Sequence, residues 1–573
     1  MKKFQLYVWL GTAFFAIVGF AQSNDNDVLL QALQDEMERS LTDLQLDEEP
    51  APYFISYTVI DRNTTSIRAT GGAKVAESSS RVRYLDVSVR VGDRVLDNTK
   101  YFAYGGSFGA TNTLPLNDSY DELRRVIWQL TDQEYKTAIS ALSGKSSMLE
   151  SQAEIVRPND FNEEEPFTFE TDEIIPSLDY QVLHDLTIEL SDVFTGHAEL
   201  RQNITMGRVV TTERIYLDSD GNSHRVTASL CSIQSEASAQ ATDGRAVSDF
   251  SSTYAYDCAD LPAKETLEQD HQVLIARVME LKDAETLDAY TGPAIFADQA
   301  SAELIVQTIG RRVTAFPPSV NAYRGIQRQN NPFVERIGNR VFARFLGLVN
   351  DPTLQEYEGI PLLGGYHVDI EGVPSRRTDL VIDGKLQTLL TTRNPIKGID
   401  KSSGSNRRGQ PMPGNLIVET SESMSQDELH DELLQLVDDE GYDYGLIIHR
   451  LANYSEMSLG NFFGGPGQGG GLMVTPTLQA YKVYPDGTEV AVLPMSFSSF
   501  VDKQLKDIVA VSADMHAYNI SVGRGIGGGK SGIPLIGVVT PSLLLEEISL
   551  ADTAGDKPKV PIVSHPLTES VSQ

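Results

Sequence analysis

The chain has 573 residues, which is long enough for two or three domains with hydrophobic cores of their own. Its formal net charge of −33 argues against binding to nucleic acid, which depends on basic side chains that neutralise phosphates. The same charge disfavours attraction to anionic membrane surfaces. Apolar residues make up 40% of the chain, as in an ordinary globular protein.

The first residues have the pattern of a secretory signal sequence. Lys2 and Lys3 precede a mostly apolar, uncharged run. Gly19 and Ala21 place small side chains where a signal peptidase that cuts after Ala21 requires them. An uncleaved membrane anchor is the alternative, although the apolar run is short for a membrane span. We therefore expect residues 1–21 to be a signal peptide and the mature protein to be periplasmic or secreted, with no stable membrane insertion after cleavage.

Hydrophobic spacing predicts helices and strands in the first half of the chain. Two segments have apolar residues every three or four positions, which is the pattern of amphipathic helices. Segments between them are rich in β-branched and aromatic residues or alternate in polarity, as strands do. The predicted helices are Asp25–Leu46 and Asp118–Leu142, and the predicted strands are Tyr53–Ile60, Ser66–Ala76 and Arg81–Val91.

These elements predict an α+β fold with two main regions. Residues 24–284 are expected to form an N-terminal α/β domain with a mixed sheet and flanking helices. An acidic, proline-bearing connection at 157–179 leaves open a break into two subdomains. Residues 285–551 contain many alternating segments and are expected to form a β-rich domain of antiparallel strands, like a sandwich or barrel. The polar, proline-bearing end at 552–573 is expected to be a disordered tail.

Only two cysteines occur, Cys231 and Cys258. Both lie in strand-like sequence and are separated by a turn, so a cross-strand disulfide is one interpretation for a protein in an oxidising compartment. Two free, buried thiols are the other interpretation. The sequence leaves the choice between them open.

A short apolar run followed by an amphipathic pattern predicts a strand and a helix in Tyr290–Gly310. The helix would begin near Asp298 and contain the segment 302–307, Ala-Glu-Leu-Ile-Val-Gln. A zinc peptidase of the H-E-x-x-x-H kind has histidines at the first and last of these positions and a glutamate that activates water. Only the glutamate is present here. Glu303 is therefore a candidate catalytic acid or base, with a salt-bridge partner or a solvated helix residue as the alternatives.

A second group of candidate residues surrounds an acidic motif in the second half. Asp369 and Glu371 would point to the same side of an extended segment, either toward a substrate or toward basic side chains nearby. Arg407 and Arg408 could bind a peptide carboxylate through paired hydrogen bonds, or form structural ion pairs. His367 would contact a substrate or metal only within a dispersed site, and a surface or core histidine is the alternative. We predict these five residues as a substrate-binding group.

In these motifs the chain resembles the TldD/PmbA family, which comprises bacterial peptidase-like proteins of the TldD and TldE types. The resemblance rests on the Asp369-x-Glu371-Gly-x-Pro segment, the Asn406-Arg407-Arg408 loop and the strand Asn415-Leu416-Ile417-Val418. Further matches, Tyr290-Thr291-Gly292-Pro293 among them, extend the similarity collinearly over roughly 24–550. The resemblance implies an N-terminal α/β domain, a C-terminal β-rich domain and pairs of chains that associate around an internal chamber.

Compared with the family pattern, this chain lacks the metal-binding residues of the TldD type. In TldD-type chains an H-E-x-x-x-H helix opens the C-terminal domain, whereas Ala302 and Gln307 occupy the histidine positions here. The family's further cysteine ligand near the C-terminus has no counterpart, because Cys258 is the last cysteine. The resemblance is thus to the TldE type, which lacks the metal motif and completes a TldD-type partner. We expect no cofactor in this chain, with zinc only in a metal-bearing relative.

The resemblance implies a peptide-binding or structural subunit of a peptidase system that processes peptides or proteins. Its partner would be a TldD-like relative or a second copy of itself, as a dimer, and its ligand would be a peptide. Whether the chain is itself an enzyme stays open. An active peptidase with a non-standard site is one alternative, and a non-enzymatic periplasmic binding module is another.

Overall fold

The computed structural model describes most of the chain. The predicted signal sequence at 1–21, Arg408 and most of the predicted tail lie outside the described residues. Within the described part, no helix combines the length and the apolar character that crossing a membrane requires. The described residues are 27–102, 112–151, 157–171, 180–321, 331–407, 409–457, 474–522, 535–553, 557–561 and 563.

The first half of the chain folds as a six-stranded sheet with helices packed against it. Helices α1 (Val28–Asp43), α2 (Tyr120–Glu150), α3 (Tyr180–Asp192) and α4 (Lys264–Asp283) accompany strands β1 (Pro52–Thr70), β2 (Ala73–Val91), β3 (Thr168–Glu170), β4 (Gln202–Asp218), β5 (Ser223–Gln240) and β6 (Ala246–Ala255). The pairing order is β2-β1-β4-β5, and both β3 and β6 pair with β5. Strand β3 is parallel to β5, whereas β6 is antiparallel to it. Among the described strands, β6 pairs with β5 alone and so forms an edge of this sheet.

Strand β1 is longer than the sequence pattern predicts. The predicted strands Tyr53–Ile60 and Ser66–Ala76 belong to one hairpin, in which β1 and β2 pair along their whole length. The polar residues 61–65 continue the strand, because the backbone hydrogen bonds of a sheet do not require apolar side chains. Hydroxyl pairs such as Ser66 with Ser78, at 3.0 Å, even connect the two strands of the hairpin. The polarity pattern therefore predicted two separate strands where the backbone forms one continuous strand.

The apolar faces of the two predicted helices pack on this sheet. Leu33 of α1 is buried together with Leu123 and Ile127 of α2. Their partners in the same hydrophobic cluster include Tyr57 and Val59 of β1. The three- and four-residue spacing that predicted these helices thus marks their core-facing sides, as expected when tertiary packing stabilises an amphipathic helix.

The second half is built on an eleven-stranded sheet. Helices α5 (Asp298–Gln307), α6 (Ile309–Arg312) and α7 (Gln426–Glu440) accompany strands β7 (Ala289–Phe296), β8 (Leu346–Asn350), β9 (Glu356–Tyr357), β10 (Ile360–Pro361), β11 (Thr378–Ile382), β12 (Lys385–Leu386), β13 (Asn415–Thr420), β14 (Gly445–Leu451), β15 (Thr477–Val483), β16 (Glu489–Val492), β17 (Met495–Ser499), β18 (Ile508–Ser521) and β19 (Leu535–Asp552). The pairing order is β12-β11-β8-β13-β19-β7-β14-β15-β16, with β17 and β18 also paired to β19, while β9 and β10 form a separate hairpin. Two pairs, β13 with β19 and β7 with β14, are parallel. The predicted α+β fold class is confirmed, and the described strands form open sheets.

The beginning of the second half places a helix beside the end of a neighbouring strand. Strand β7 leads directly into α5. Ala297, which lies between them, donates its backbone N–H to the carbonyl of Ile448 in β14 at 2.9 Å. Because β7 and β14 are parallel, their carboxyl ends lie side by side. Open sheets with parallel strands commonly bind ligands at this kind of edge.

A disulfide joins Cys231 in β5 to Cys258 in the turn that follows β6. The two cysteines are 27 residues apart in sequence. The bond ties the chain that leaves β6 back onto β5, so it holds the end of the edge strand in place.

Candidate functional site

A cavity of about 350 Å³ lies between the two sheets. Strand β6 of the first sheet and strand β18 of the second each line it with five consecutive residues, 250–254 and 517–521. Side chains from α4, from the start of α5 and from the end of β14 complete its walls. The cavity therefore lies at the junction of the two halves, next to the carboxyl ends of β7 and β14.

A β-bulge at the end of β14 directs side chains toward this junction. Ile448 pairs with Ala480 and Arg450 pairs with Gln479, so His449 is an extra residue in the strand. Bulges change the direction of the side chains that follow them and occur often beside functional sites. Here the irregularity leaves His449 beside α5, and Arg450 lines the cavity.

Glu303 connects α5 to the end of β14. Its side chain is 1% exposed. One carboxylate oxygen accepts the backbone N–H of Leu451 at 2.6 Å, and the other accepts the Nε2 of Gln299 at 2.8 Å. Burial raises the pKa of Glu303 to about 7, while the nearby Arg450 acts in the opposite direction. Gln299 lines the cavity but Glu303 does not, so its carboxyl group reaches the cavity only through the amide of Gln299.

The residues around Glu303 do not fit a zinc ion. Ala302 is fully buried in the hydrophobic core, and its methyl group has no lone pair to donate. The amide of Gln307 is bonded twice to Thr475, through Nε2 to the hydroxyl at 2.9 Å and through Oε1 to the backbone N–H at 2.8 Å. Zinc in proteins takes imidazole, thiolate or carboxylate ligands. Among the described residues, no group of three or more His, Cys, Asp and Glu side chains is arranged to hold a metal.

The most unusual side chain of the cavity wall is Arg450. It is 8% exposed, and its guanidinium group lies 4.5 Å from the ring centroid of Phe250 in β6. Its nearest carboxylate is that of Asp249, at 3.5 Å from Nη2. That carboxylate is already bound by the Nε of Arg277, and it also accepts the backbone N–H of Phe250. Burial lowers the pKa of Arg450 and the charge of Arg277 adds to this effect, whereas the nearby carboxylates, Asp249 first, act in the opposite direction.

Glu456, just after β14, connects the other side of the cavity to β6. One of its carboxylate oxygens accepts the hydroxyl of Tyr254. The other accepts the hydroxyl of Ser252 at 2.7 Å and the amide of Gln234 at 2.5 Å. All three donors are neutral, and they use both oxygens of the carboxylate. Burial raises the pKa of Tyr254, with Glu456 acting in the same direction, so this tyrosine stays a hydrogen-bond donor.

The outer edge of β6 presents backbone groups along the cavity wall. The N–H of Phe250 donates to Asp249 and its carbonyl accepts from Arg277, so both groups face away from β5. Residues of an antiparallel pair alternate between facing the partner strand and facing away from it. The pairing of β6 with β5 has no register shift, which places the backbone groups of Ser252 and Tyr254 on the same outer edge.

The acidic motif predicted to bind substrate instead organises a loop. Asp369 is buried and its carboxylate accepts three backbone N–H groups, from Glu371 at 2.9 Å, Val373 at 3.0 Å and Asn406 at 3.0 Å. Burial raises its pKa to about 7, and the charge of Glu371 adds to the effect. Glu371 in turn accepts the backbone N–H of Arg393 at 2.9 Å. These carboxylates hold the motif in shape.

The remaining predicted site residues are also apart from the cavity lining. Arg407 donates to the carbonyls of Pro413 at 2.6 Å and Leu535 at 3.1 Å, so it braces its own loop. His367 is exposed, and its ring lies 5.3 Å from that of Phe169. Arg408 lies outside the described residues. None of the described members of the predicted group lines the cavity.

Sequence reasoning missed the side chains that do line the cavity. Arg277, Arg450 and Glu456 come from α4, β14 and the loop after it, with no spacing that a motif search could detect. One weak signal was present, since Arg450 follows the apolar run of β14 directly after His449. A charged residue at the end of a buried strand marks a place where the sheet meets polar groups.

Residues 290–552 match the family model of the PmbA/TldA metallopeptidase C-terminal domain. No curated protein matches the sequence. Among solved structures, TldE from Thermococcus kodakarensis is 13% identical with a TM-score of 0.56, and the match covers 92% of this chain and 100% of that one.

Two bacterial structures are similar to the same degree. A Thermotoga maritima protein named as a candidate modulator of DNA gyrase is 14% identical with a TM-score of 0.57, covering 90% of this chain and 100% of that one. A Bacteroides thetaiotaomicron protein with the corresponding name is 12% identical with a TM-score of 0.56, covering 91% and 98%. At such identities the likeness establishes a shared fold across both halves of the chain.

Proposed function

The chain belongs to the TldD/PmbA family through its C-terminal domain, and on that premise we propose that it is a peptide-binding member of this peptidase-like family without a zinc site of its own. One observation carries the proposal. Helix α5 opens the C-terminal domain beside the cavity, yet it has Ala302 and Gln307 where the family's zinc histidines are expected. The first is buried in the core and the second is bonded to Thr475. The place of the site is kept while its metal ligands are replaced.

The cavity itself supports a peptide as the ligand. It is bounded by β6, an edge strand whose outer backbone groups lie along the wall. An extended peptide can add to such an edge through main-chain hydrogen bonds, without requiring a particular sequence. A volume of about 350 Å³ suits a short segment of chain rather than a folded domain.

The protein would act as a subunit. It would complete a TldD-like relative that carries the H-E-x-x-x-H helix, or pair with a second copy of itself. Export to the periplasm or beyond is part of the proposal, supported by the signal-like start of the sequence and by the disulfide between Cys231 and Cys258, a bond typical of oxidising compartments. This function would serve peptide or protein processing.

The test combines metal analysis with peptide assays on the purified chain. Zinc content is measured by mass spectrometry, and unstructured peptides are offered with and without a family relative that has an intact zinc helix. We expect little bound zinc, measurable peptide binding, and cleavage only when the relative is present. Stoichiometric zinc together with chelator-sensitive cleavage by this chain alone would overturn the proposal.

An active peptidase with a non-standard site is the second candidate function. The observation that favours it is the carboxyl group of Glu303, whose pKa of about 7 suits proton exchange near neutral pH. The substitution Glu303→Gln distinguishes the two candidates. If the chain alone cleaves peptides and the variant does not, Glu303 belongs to the chemistry; an unchanged rate removes it. Peptide binding without turnover, even with the relative present, would instead favour a non-enzymatic binding module.

A further inference from the structure

We propose that Arg450 recognises a carboxylate of the bound peptide, and that the cavity therefore selects peptides that present a free carboxylate next to β6. This inference rests on the proposed peptide-binding function and adds the chemical class of its preferred ligand. The carboxylate can come from the C-terminus of the peptide or from an Asp or Glu side chain. The geometry of the wall favours the C-terminus.

The first step is that the guanidinium group of Arg450 lacks acceptors. An arginine side chain has five N–H donors. Within the described part of the chain, the only polar contact of this side chain is the ion pair with Asp249 at 3.5 Å, which is longer than a hydrogen bond. Its Nε is buried without a partner. Buried donors that stay unpaired are costly, so a ligand that supplies acceptors here is stabilised.

The second step concerns the carboxylates around Arg450, which are bound to other groups. Asp249 is fully buried and bonded to Arg277 and to the backbone of Phe250. Glu456 accepts three neutral donors with both of its oxygens. Glu303 has a pKa raised by burial, so it is partly protonated at neutral pH. These carboxylates therefore act on the charge of Arg450 from a distance but leave its N–H donors without acceptors at hydrogen-bonding distance.

The third step is the position of the guanidinium group over the ring of Phe250. Its central carbon lies 4.5 Å from the ring centroid, so the ring covers one side of the group. A stacked guanidinium keeps its N–H donors in the plane, where they can form two parallel hydrogen bonds with one carboxylate. A neutral peptide carbonyl can satisfy a single N–H and leaves the charge in place. A carboxylate satisfies two donors and the charge, and such bonds are stronger where water is excluded.

The fourth step places the end of the peptide. The outer backbone groups of Phe250 are already used by Asp249 and Arg277. A strand added to β6 can therefore bond at Ser252 and Tyr254 but finds no free partner at Phe250. Arg450 lies over Phe250, next to the stretch of the outer edge formed by Ser252 and Tyr254. A peptide that ends there would place its terminal carboxylate against the guanidinium group.

The experiment compares three forms of one short, otherwise uncharged peptide with a fluorescent label at its N-terminus. One form has a free C-terminal carboxylate, one has a C-terminal amide, and one has a C-terminal amide with Glu as its last residue. Binding is measured by fluorescence anisotropy. We expect the free acid to bind about tenfold or more tightly than the neutral amide, as charge-assisted hydrogen bonds imply. Tight binding of the Glu amide would show that a side-chain carboxylate is accepted as well.

Three variants locate the effect. In Arg450→Gln the preference for the free acid over the amide is expected to disappear. In Arg125→Gln, which removes an exposed arginine paired with Glu122 on α2, the preference is expected to persist. The variant Arg450→Lys keeps a charge without the planar group, and we expect it to retain only part of the preference.

The outcomes separate this inference from the function on which it rests. Equal affinity of wild type for the free acid and the amide would overturn carboxylate recognition and leave peptide binding intact. A preference that survives in Arg450→Gln would overturn the role of Arg450. Absence of binding for all three peptides would count against the proposed function itself. The wild-type comparison decides the matter even if a variant at position 450 does not fold.

Discussion

Two of the arginines at the junction between the halves of this protein differ in how completely they are paired. Arg393, from the second half, is fully buried beneath the first sheet, where Phe161 and Phe54 flank its guanidinium group at 4.2 Å and 5.2 Å. Arg450 is also buried and also stacks on a phenylalanine, Phe250. Their aromatic surroundings are alike, but their polar partners are not.

Arg393 is surrounded by acceptors. Its Nη1 donates to Asp218 at 3.0 Å, and its Nη2 donates to Asp220 at 2.5 Å and to the carbonyl of Asn162 at 3.2 Å. Its Nε alone has no partner. Asp218 is held further by the hydroxyl of Tyr216. Two carboxylates and a carbonyl thus compensate one guanidinium group, so Arg393 serves to fasten the two halves together.

Arg450, in contrast, has fewer hydrogen-bond acceptors than its guanidinium group can use. It shares the single carboxylate of Asp249 with Arg277, which binds that group more closely. A buried arginine with a complete set of acceptors leaves nothing for a ligand to add. One with an incomplete set gains when a ligand supplies the missing acceptors. The comparison teaches that burial alone does not identify a binding residue, whereas unmet hydrogen-bonding capacity beside a cavity does.

The largest expected effect is the loss of stability on replacing Arg393. Arg393→Met would leave the carboxylate of Asp218 without its cation and Asp220 with Arg94 alone, and removing one partner of a buried ion pair costs about 3–5 kcal/mol. Urea denaturation followed by circular dichroism measures the change in the free energy of unfolding. Arg393→Lys is the control and should lose less, because it keeps the charge. A loss below about 1 kcal/mol for the methionine variant would remove the distinction between the two arginines.

The disulfide at the carboxyl end of β6 is expected to contribute about 3 kcal/mol, since it closes a loop of 27 residues. The double variant Cys231→Ala and Cys258→Ala should unfold at a correspondingly lower urea concentration than wild type under non-reducing conditions. Labelling of the unreduced, denatured protein with a thiol reagent is the direct check. Reaction of both cysteines would show that they are free thiols.

The raised pKa of Glu303 predicts how the free energy of unfolding changes with pH. Its pKa is about 7 in the folded protein against an ordinary value of 4.5, so the folded state binds the proton more tightly than the unfolded state. The stabilisation that this provides is complete below pH 4.5 and is lost as the pH rises through 7. Glu303→Gln does not ionise and should gain relative to wild type between pH 5 and pH 8, by on the order of 2–3 kcal/mol.

Urea unfolding of both forms across this pH range measures the difference. Asp369, whose pKa is also about 7, gives the same pH dependence to both proteins, so the difference between them isolates Glu303. A constant difference at all pH values would mean that the folded protein does not raise the pKa of Glu303.

The smallest expected effect is that of Arg450 on stability. Arg450→Met should change the free energy of unfolding by no more than about 1 kcal/mol, because Asp249 keeps Arg277 as its partner and no carboxylate loses its only cation. The same urea experiment applies, in parallel with Arg393→Met. A loss as large as that of the Arg393 variant would show that both arginines hold the halves together.

Local interactions explain which parts of the fold could be predicted. The capping box of Ser425 with Glu428 is a motif of residues close in sequence, and α7 begins directly after that serine. The helix predicted near Asp298 is α5, which begins at that residue. Strand lengths were predicted less well, because partners such as those of β1 come from distant parts of the chain. A helix is encoded by neighbours in sequence, whereas a strand depends on its pairing.

The acidic motif shows what residue types leave undecided. Asp369 and Glu371 were predicted to face either a substrate or basic side chains nearby. In the folded protein both accept backbone N–H groups, some from the motif itself and others from the distant residues Arg393 and Asn406. The sequence shows that an acceptor is present but does not show which donor will meet it.

By itself, the sequence determined the α+β class, the helices that local spacing and capping encode, the family resemblance and the presence of Ala302 and Gln307 rather than histidines beside Glu303. Only the tertiary structure decided where the polar groups meet. Arg450 became a candidate for ligand binding because the segments around it come from distant parts of the chain. They do not supply enough hydrogen-bond acceptors for its guanidinium group. Burial and hydrogen-bond pairing are properties of contacts between distant segments, so no local pattern could reveal them.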